Sequence, residues 1–417
     1  MDSPDYSYID PANFYVTEDY GFILKEPLTN LPVYYEPWMN IAENLPALIE
    51  SKQLRDKVRK VPELDIKHLS GYRELRFARL ILSHIVMGYV WQDGEQEAAK
   101  ILPRSLAVPY HQLSQVLGLP MIIVHADLVL ANWKRKEPLG PMTYENLSPI
   151  IYFPGGESFR GFVIVTLLVE VAAIPGLRAV AQAVSAVLHE DKQTLLRALG
   201  ELEQSINKMS DSLQLMNNYV DPDVFYNTIR PFLAGWKDNP SLSEGLIYEG
   251  VMDEKPLSFS GGSAAQSSIF HVFDELLGVR HQHKSADFLL CMRQYMPPQH
   301  QRFIEWAGSP SISKYVLCSG CVDLISTFNN CVSALTQLRS LHIRIVSKYI
   351  SAAGARARTE KGQIGERGQI QEERGTGGSQ IMSFLKSVRD TCKEGLLEQS
   401  TEDSCIAVGR IITLSPE

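Results

Sequence analysis

The chain has no excess of basic charge: 40 Lys and Arg stand against 48 Asp and Glu, a net charge of −8 and an isoelectric point near 5.8. Nucleic-acid binders neutralise phosphates with a basic face, so this balance excludes nucleic acid as the expected partner. Cysteine is scarce, at six in 417 residues, which is no disulfide framework. Cys318-Ser-Gly-Cys321 is a lone CxxC. A structural zinc site needs a second pair, so these read as two ordinary thiols. Neither GxGxxG nor GxxxxGK[ST] occurs, and the Gly-rich clusters at 261–263 and 375–378 follow no strand pattern, so no nucleotide fingerprint is present. Histidines form no HExxH. The most apolar run, from Phe162 to Leu177, is interrupted by Glu170 and Pro175, short of the roughly 20 residues that span a bilayer. The N-terminal MDSPDYSYID has neither a basic n-region nor an apolar h-region. The expectation is therefore no secretory signal, no membrane and a reducing cytosol.

What the sequence has in abundance is helical periodicity. Apolar residues recur every three or four positions in 72–92, 161–173, 177–189, 192–216, 264–279 and 322–353, and strand signals are few. The expected fold class is all-α. The proline- and glycine-rich stretch 138–156 reads as a connector. It separates a small N-terminal domain (1–149) from a large one (150–417) with the long helices. Residues 354–378 are charged, carry several glycines and almost no large apolar side chains. They read as a mobile loop, after which 381–397 docks back as a final helix.

Few side chains stand out as chemistry. In the stripe Phe328, Val332, Leu335, Leu338, His342, Ile345, Tyr349, a histidine sits in the middle of a buried helix face. A buried imidazole needs a hydrogen-bond partner or a metal. The pattern fits a satisfied core histidine, and it fits an axial haem ligand, for which one imidazole on an apolar face suffices. Arg339 lies one turn earlier, and Asp274 lies among Phe270, Phe273 and Leu277 on another helix. The two read either as an interhelical salt bridge or as a pair at a haem propionate. Arg230, among Phe225, Tyr226 and Phe232, suits a carboxylate bound beside aromatic rings, or a snorkelling surface arginine. His281-Gln-His283 reads as a solvated turn. Tyr110 and Tyr248 each stand in an [VLI]-x-Tyr-x-x-[LV] pattern. That offers a rival reading, a signalling protein recruiting SH2-domain partners through phosphotyrosine, provided both tyrosines are exposed.

Several longer runs resemble one family. RSLHIRIVSKYI (339–350), GGSAAQSSIFHVFDELLG (261–278), GFVIVTLLVE (161–170), YMPPQH (295–300), ADLVLANW (126–133) and RGTGGSQIMSFLK (374–386) resemble, in order, segments of the indoleamine 2,3-dioxygenases. FPGGES, VDPDVFY and GGSAAQSS are most similar to the second vertebrate paralogue. The resemblance implies an all-α protein binding haem b, active as ferrous iron. The implied reaction inserts O₂ across the indole C2–C3 bond of L-tryptophan to give N-formyl-L-kynurenine, with an electron donor the sequence does not identify. It implies His342 as proximal iron ligand, and Asp274 and Arg339 near the haem. Phe162 and Thr166 are implied in the distal pocket, Phe225, Tyr226 and Arg230 on the substrate side, and Gly261, Ser263 and Ala264 at the haem edge. It also implies Thr376 in a loop closing on substrate. Thr166 stands where the better-known paralogue has serine, His125 where it has a pocket tyrosine, and Leu341 where tyrosine is usual. These departures bear on tryptophan affinity, expected to be low, rather than on haem binding. An O₂ carrier is a further alternative, against which Arg230 argues.

Overall fold

The structure, a computed structural model, describes residues 14–360, 375–376 and 380–398. As the periodicity predicts, it is almost wholly helical. Its strands are two-residue pairs, Ile101–Leu102 (β1) parallel to Ile247–Tyr248 (β4) and Lys134–Arg135 (β2) antiparallel to Leu147–Ser148 (β3). The longer helices are α1 (Gly71–Trp91), α2 (Arg104–Leu117), α3 (Gly156–Ala172), α4 (Ile174–Leu188), α5 (Lys192–Gln214), α6 (Ser268–Leu276), α7 (His283–Arg293), α8 (Pro298–Ala307), α9 (Val322–Val346), α10 (Ala353–Glu360) and α11 (Ile381–Lys393).

Local chemistry explains the boundaries. The Asp191 carboxylate accepts from the amides of Gln193 and Thr194 and starts α5, satisfying donors that a helix N-terminus leaves open. Gly118, with φ 64°, ends α2 in the left-handed conformation. Pro175 lies in the first turn of α4 and divides it from α3. Together α3 and α4 (Gly156–Leu188) contain an 18-residue stretch apolar enough to cross a membrane, with a mean hydropathy of 2.0, yet 72% of that stretch is buried inside the fold. It is the core: α5 lies against both helices, and α9 packs on α5. α5 presents Leu195, Ala198, Leu199, Leu202, Ile206 and Met209 to this centre at helical spacing.

Residues 138–156 are more than a connector. Asn132 donates to the Ile151 carbonyl and accepts from the amides of Ile150 and Ile151, and Leu147 and Phe153 are fully buried. The loop expectation for 354–378 needs correction at its start. Residues up to 360 continue as α10, and Arg356 pairs with Asp223 at 2.6 Å. Residues 361–374 and 377–379 lie outside the described part. The final helix is where the sequence puts it, as α11 packed on α9.

Candidate active site

α9 carries His342. Every other member of its stripe is buried, from Phe328 to Leu338 at 0% and on to Ile345 and Tyr349, whereas His342 keeps accessible surface. It lines a partly open cavity with Ala264, Phe270, His271, Asp274, Arg339, Phe384 and Val388. Burial of the imidazole, reinforced by the Arg339 charge, pushes its pKa down to about 4. The ring is therefore neutral at pH 7. Neither ring nitrogen has a hydrogen-bond partner among the described residues, so one lone pair is left to face the cavity. No group of three or more metal-ligating side chains occurs among the described residues, and a haem iron needs only one imidazole from the protein. The residues present fit a haem.

Beside His342, the Arg339 Nη2 donates to both Asp274 oxygens at 2.7 Å. His281 Nε2 reaches Asp274 Oδ2 at 2.9 Å, and its side chain is 8% exposed. The reading of His281 as solvated is thus wrong. Charged sequence neighbours hid a residue that folds back one loop onto the carboxylate. Arg339 and His281 together hold the Asp274 carboxyl below its usual range against the opposing effect of burial. The Asp274–Arg339 pair is an interhelical bridge that also forms part of the cavity wall.

α3 supplies a second set. From Phe159 to Glu170 all its residues are buried except Phe162 and Thr166. These lie one turn apart, so they share a face, and accessible surface within an otherwise buried helix marks open space beside it. The Thr166 hydroxyl donates to the Phe162 carbonyl at 2.7 Å, which leaves its methyl as the free part of the side chain. Phe225 joins the two sets: its ring lies 5.1 Å from Phe162 and 6.0 Å from Tyr349, which follows His342 on the continuation of α9. The Arg230 guanidinium lies over the Tyr226 ring at 5.2 Å.

Three π-helical segments adjoin these residues: Ala126–Leu130 just after His125, Phe225–Ile229 just before Arg230, and Ser347–Ala352 a turn beyond His342. Such segments recur at functional sites, because one extra residue re-aims the side chains around it.

The segment from Gly261 to Ala264 is held by backbone. The amides of Gly235 and Gly261 both donate to the Thr376 carbonyl, at 3.3 and 3.1 Å, and the Thr376 hydroxyl donates to the Gly262 carbonyl. Ser263 is occupied as a cap, accepting from the Ala265 amide at 3.2 Å. His125 is buried, and its Nε2 lies 2.7 Å from Glu170 Oε1. Sequence reasoning saw Glu170 only as an interruption and missed it, together with Gln266, Ser267, Phe270, Phe384 and Val388. A carboxylate inside an apolar run was the available signal.

The phosphotyrosine reading fails its own condition. Tyr110 and Tyr248 are 0% and 1% exposed. Arg79 stands over the Tyr110 ring at 5.2 Å, and the Tyr248 hydroxyl donates to the Met121 carbonyl. Both tyrosines are core residues. Cys318 and Cys321 are free thiols at the end of one helix and the start of the next.

Comparison with known proteins agrees with this geometry. Residues 10–395 match the family model described as indoleamine 2,3-dioxygenase. The chain is 51% identical to indoleamine 2,3-dioxygenase 2 of Mus musculus, over 93% of this chain and 95% of that protein. It is 45% identical to indoleamine 2,3-dioxygenase 1 of Rattus norvegicus, over 94% and 99%. It is also 37% identical to a myoglobin of Haliotis madaka, over 92% and 97%. With residues 10–395 matched by the family model and relatives 45–51% identical over nearly their whole length, the chain belongs to the indoleamine 2,3-dioxygenase family.

Proposed function

We infer that this protein is a haem-dependent dioxygenase that inserts O₂ across the indole C2–C3 bond of L-tryptophan and yields N-formyl-L-kynurenine. The observation that carries the reading is His342: neutral, without a hydrogen-bond partner among the described residues, and the one accessible member of a buried stripe. Haem b, held through His342, would supply the redox chemistry that activates dioxygen.

The chain's own residues do the rest. Phe162 and Phe225 hold the indole, and Arg230 takes the carboxylate in a charge-assisted contact. Thr166 limits the room beside Phe162. Asp274, Arg339 and His281 fix the α9 face that presents His342, and the segment from Gly261 to Ala264, tied to Thr376, closes the edge. Apolar walls exclude water, so catalysis rests on positioning. Tryptophan affinity below that of the better-known paralogue and a cytosolic location belong to the same reading.

The test is spectroscopic and chemical. Purified protein should show a Soret band that changes when tryptophan is added, and labelled dioxygen should place both oxygen atoms in the product. His342→Ala should fold with an unchanged circular dichroism spectrum and retain little haem. The myoglobin relative gives the second reading, reversible O₂ binding alone. A stable oxygenated spectrum that tryptophan neither alters nor consumes would favour it.

A further inference from the structure

Glu170 lies on α3 one turn past Thr166 and two past Phe162, and no step above uses it. It is 4% exposed. Its Oε1 accepts from His125 Nε2 at 2.7 Å and from the Ser267 hydroxyl at 2.8 Å. These donors come from two separate segments. The His125 segment is pinned from below by α1: Arg76 donates to the Ala126 carbonyl, and Arg79 donates to Asp127 and to the carbonyls of Pro120 and Ile122. Ser267 begins α6 and ends the stretch that starts at Gly261. The two are also tied to each other, because the His125 amide donates to Gln266 Oε1 at 3.0 Å and Gln266 Nε2 donates to the Gly261 carbonyl at 2.9 Å. Among the described residues, no other side-chain hydrogen bond joins α3 to either segment.

A buried carboxylate is costly, and apolar residues of similar volume often replace buried polar groups without loss of stability. What two hydrogen bonds to one oxygen provide is fixed relative position. We propose that Glu170 is a positioning residue: its carboxylate locks the distal helix face that carries Phe162 and Thr166 to the Gly261–Ala264 edge, in one register. On this view His125 is committed to that lock rather than to the substrate. The proposal rests on the dioxygenase reading for its catalytic consequence, though not for its structural one.

The variants Glu170→Gln, Glu170→Ala and Ser267→Ala separate the possibilities. A glutamine carbonyl can still accept both hydrogen bonds, so it keeps the lock and removes the charge. Three readouts apply to the haem-loaded protein: amide hydrogen exchange across residues 260–268, the C–O stretching band of the ferrous CO complex without tryptophan, and kcat and KM. Glu170→Ala should speed exchange across 260–268 by about tenfold. It should broaden the CO band and lower kcat/KM by about tenfold or more, since small misplacements of reacting groups are costly. Glu170→Gln should stay within about twofold of the parent in all three, and Ser267→Ala should fall between. Unchanged exchange and CO band in Glu170→Ala overturn the proposal. So does Glu170→Gln as damaging as Glu170→Ala, which would assign the role to charge. If Glu170→Ala does not fold, a Ser267→Ala protein with parental exchange and CO band overturns it. A parent protein that never turns over tryptophan defeats the dioxygenase reading alone, because exchange and the CO band still judge Glu170.

Discussion

In the proposed function, discrimination between an amino acid and bare indole falls to Arg230. Its guanidinium is held over the Tyr226 ring, so its position is set before a carboxylate arrives. Arg230→Leu removes a charge-assisted contact worth roughly 1.5–3 kcal/mol. Tryptophan binding, followed by the haem spectrum, should weaken by about tenfold or more while indole is nearly unaffected. Equal weakening of both would show that Arg230 acts through packing. At this scale the sequence was legible where a residue breaks a strong pattern. His342 could be picked out because it interrupts an apolar stripe, and the structure leaves that residue alone accessible in the stripe. Glu170 interrupts an apolar run as well, but its partners, His125 and Ser267, lie far from it along the chain. His281 sits among charges, and only the fold reveals that it turns back onto Asp274.

At the scale of elements, the edge of the site depends on two glycines packed backbone to backbone. A Cβ on Gly261 would lie 2.1 Å from the Leu233 carbonyl oxygen, 2.4 Å from the Gly235 nitrogen and 2.6 Å from the Thr376 oxygen. Backbone cannot swing aside as a side chain does. Gly261→Ala should therefore lower stability by roughly 1–3 kcal/mol, read as a drop in Tm, and weaken tryptophan binding with it. Gly262 is the control, for a Cβ there meets nothing within 4 Å. Gly262→Ala should keep the parental Tm, and equal loss in both would remove the close-approach argument. The helices themselves were readable from periodicity, and the break at Pro175 from one residue. The π segments were not, since one extra residue in a turn changes the register without changing composition. The start of 354–378 was misread for a related reason: α10 carries few apolar residues, and its attachment includes the ion pair from Arg356 to Asp223.

The whole molecule carries buried histidines that burial keeps neutral. His84 and His271 are pushed down to about 4, and His300 to about 3. In the unfolded chain each takes up its proton near pH 6.5, while the folded protein refuses it until well below. The unfolded state therefore binds more protons across that window, and stability falls as pH falls from 6.5. Each histidine contributes up to about 1.4 kcal/mol per pH unit. Urea midpoints measured between pH 7.5 and 5 should decline below 6.5 and level off above it, and a flat profile would contradict these assignments. The apolar pair α3–α4 has a consequence during synthesis. Its cover, α5, follows directly, but α9 ends only at Val346, more than 150 residues after Leu188. On the ribosome that core waits for its last layer while most of the remaining chain is made. Nascent chains stalled before residue 322 should therefore be held by chaperones that bind apolar segments, and chains stalled far enough on for α9 to emerge should be released. Crosslinking of stalled chains of graded length would read the change directly.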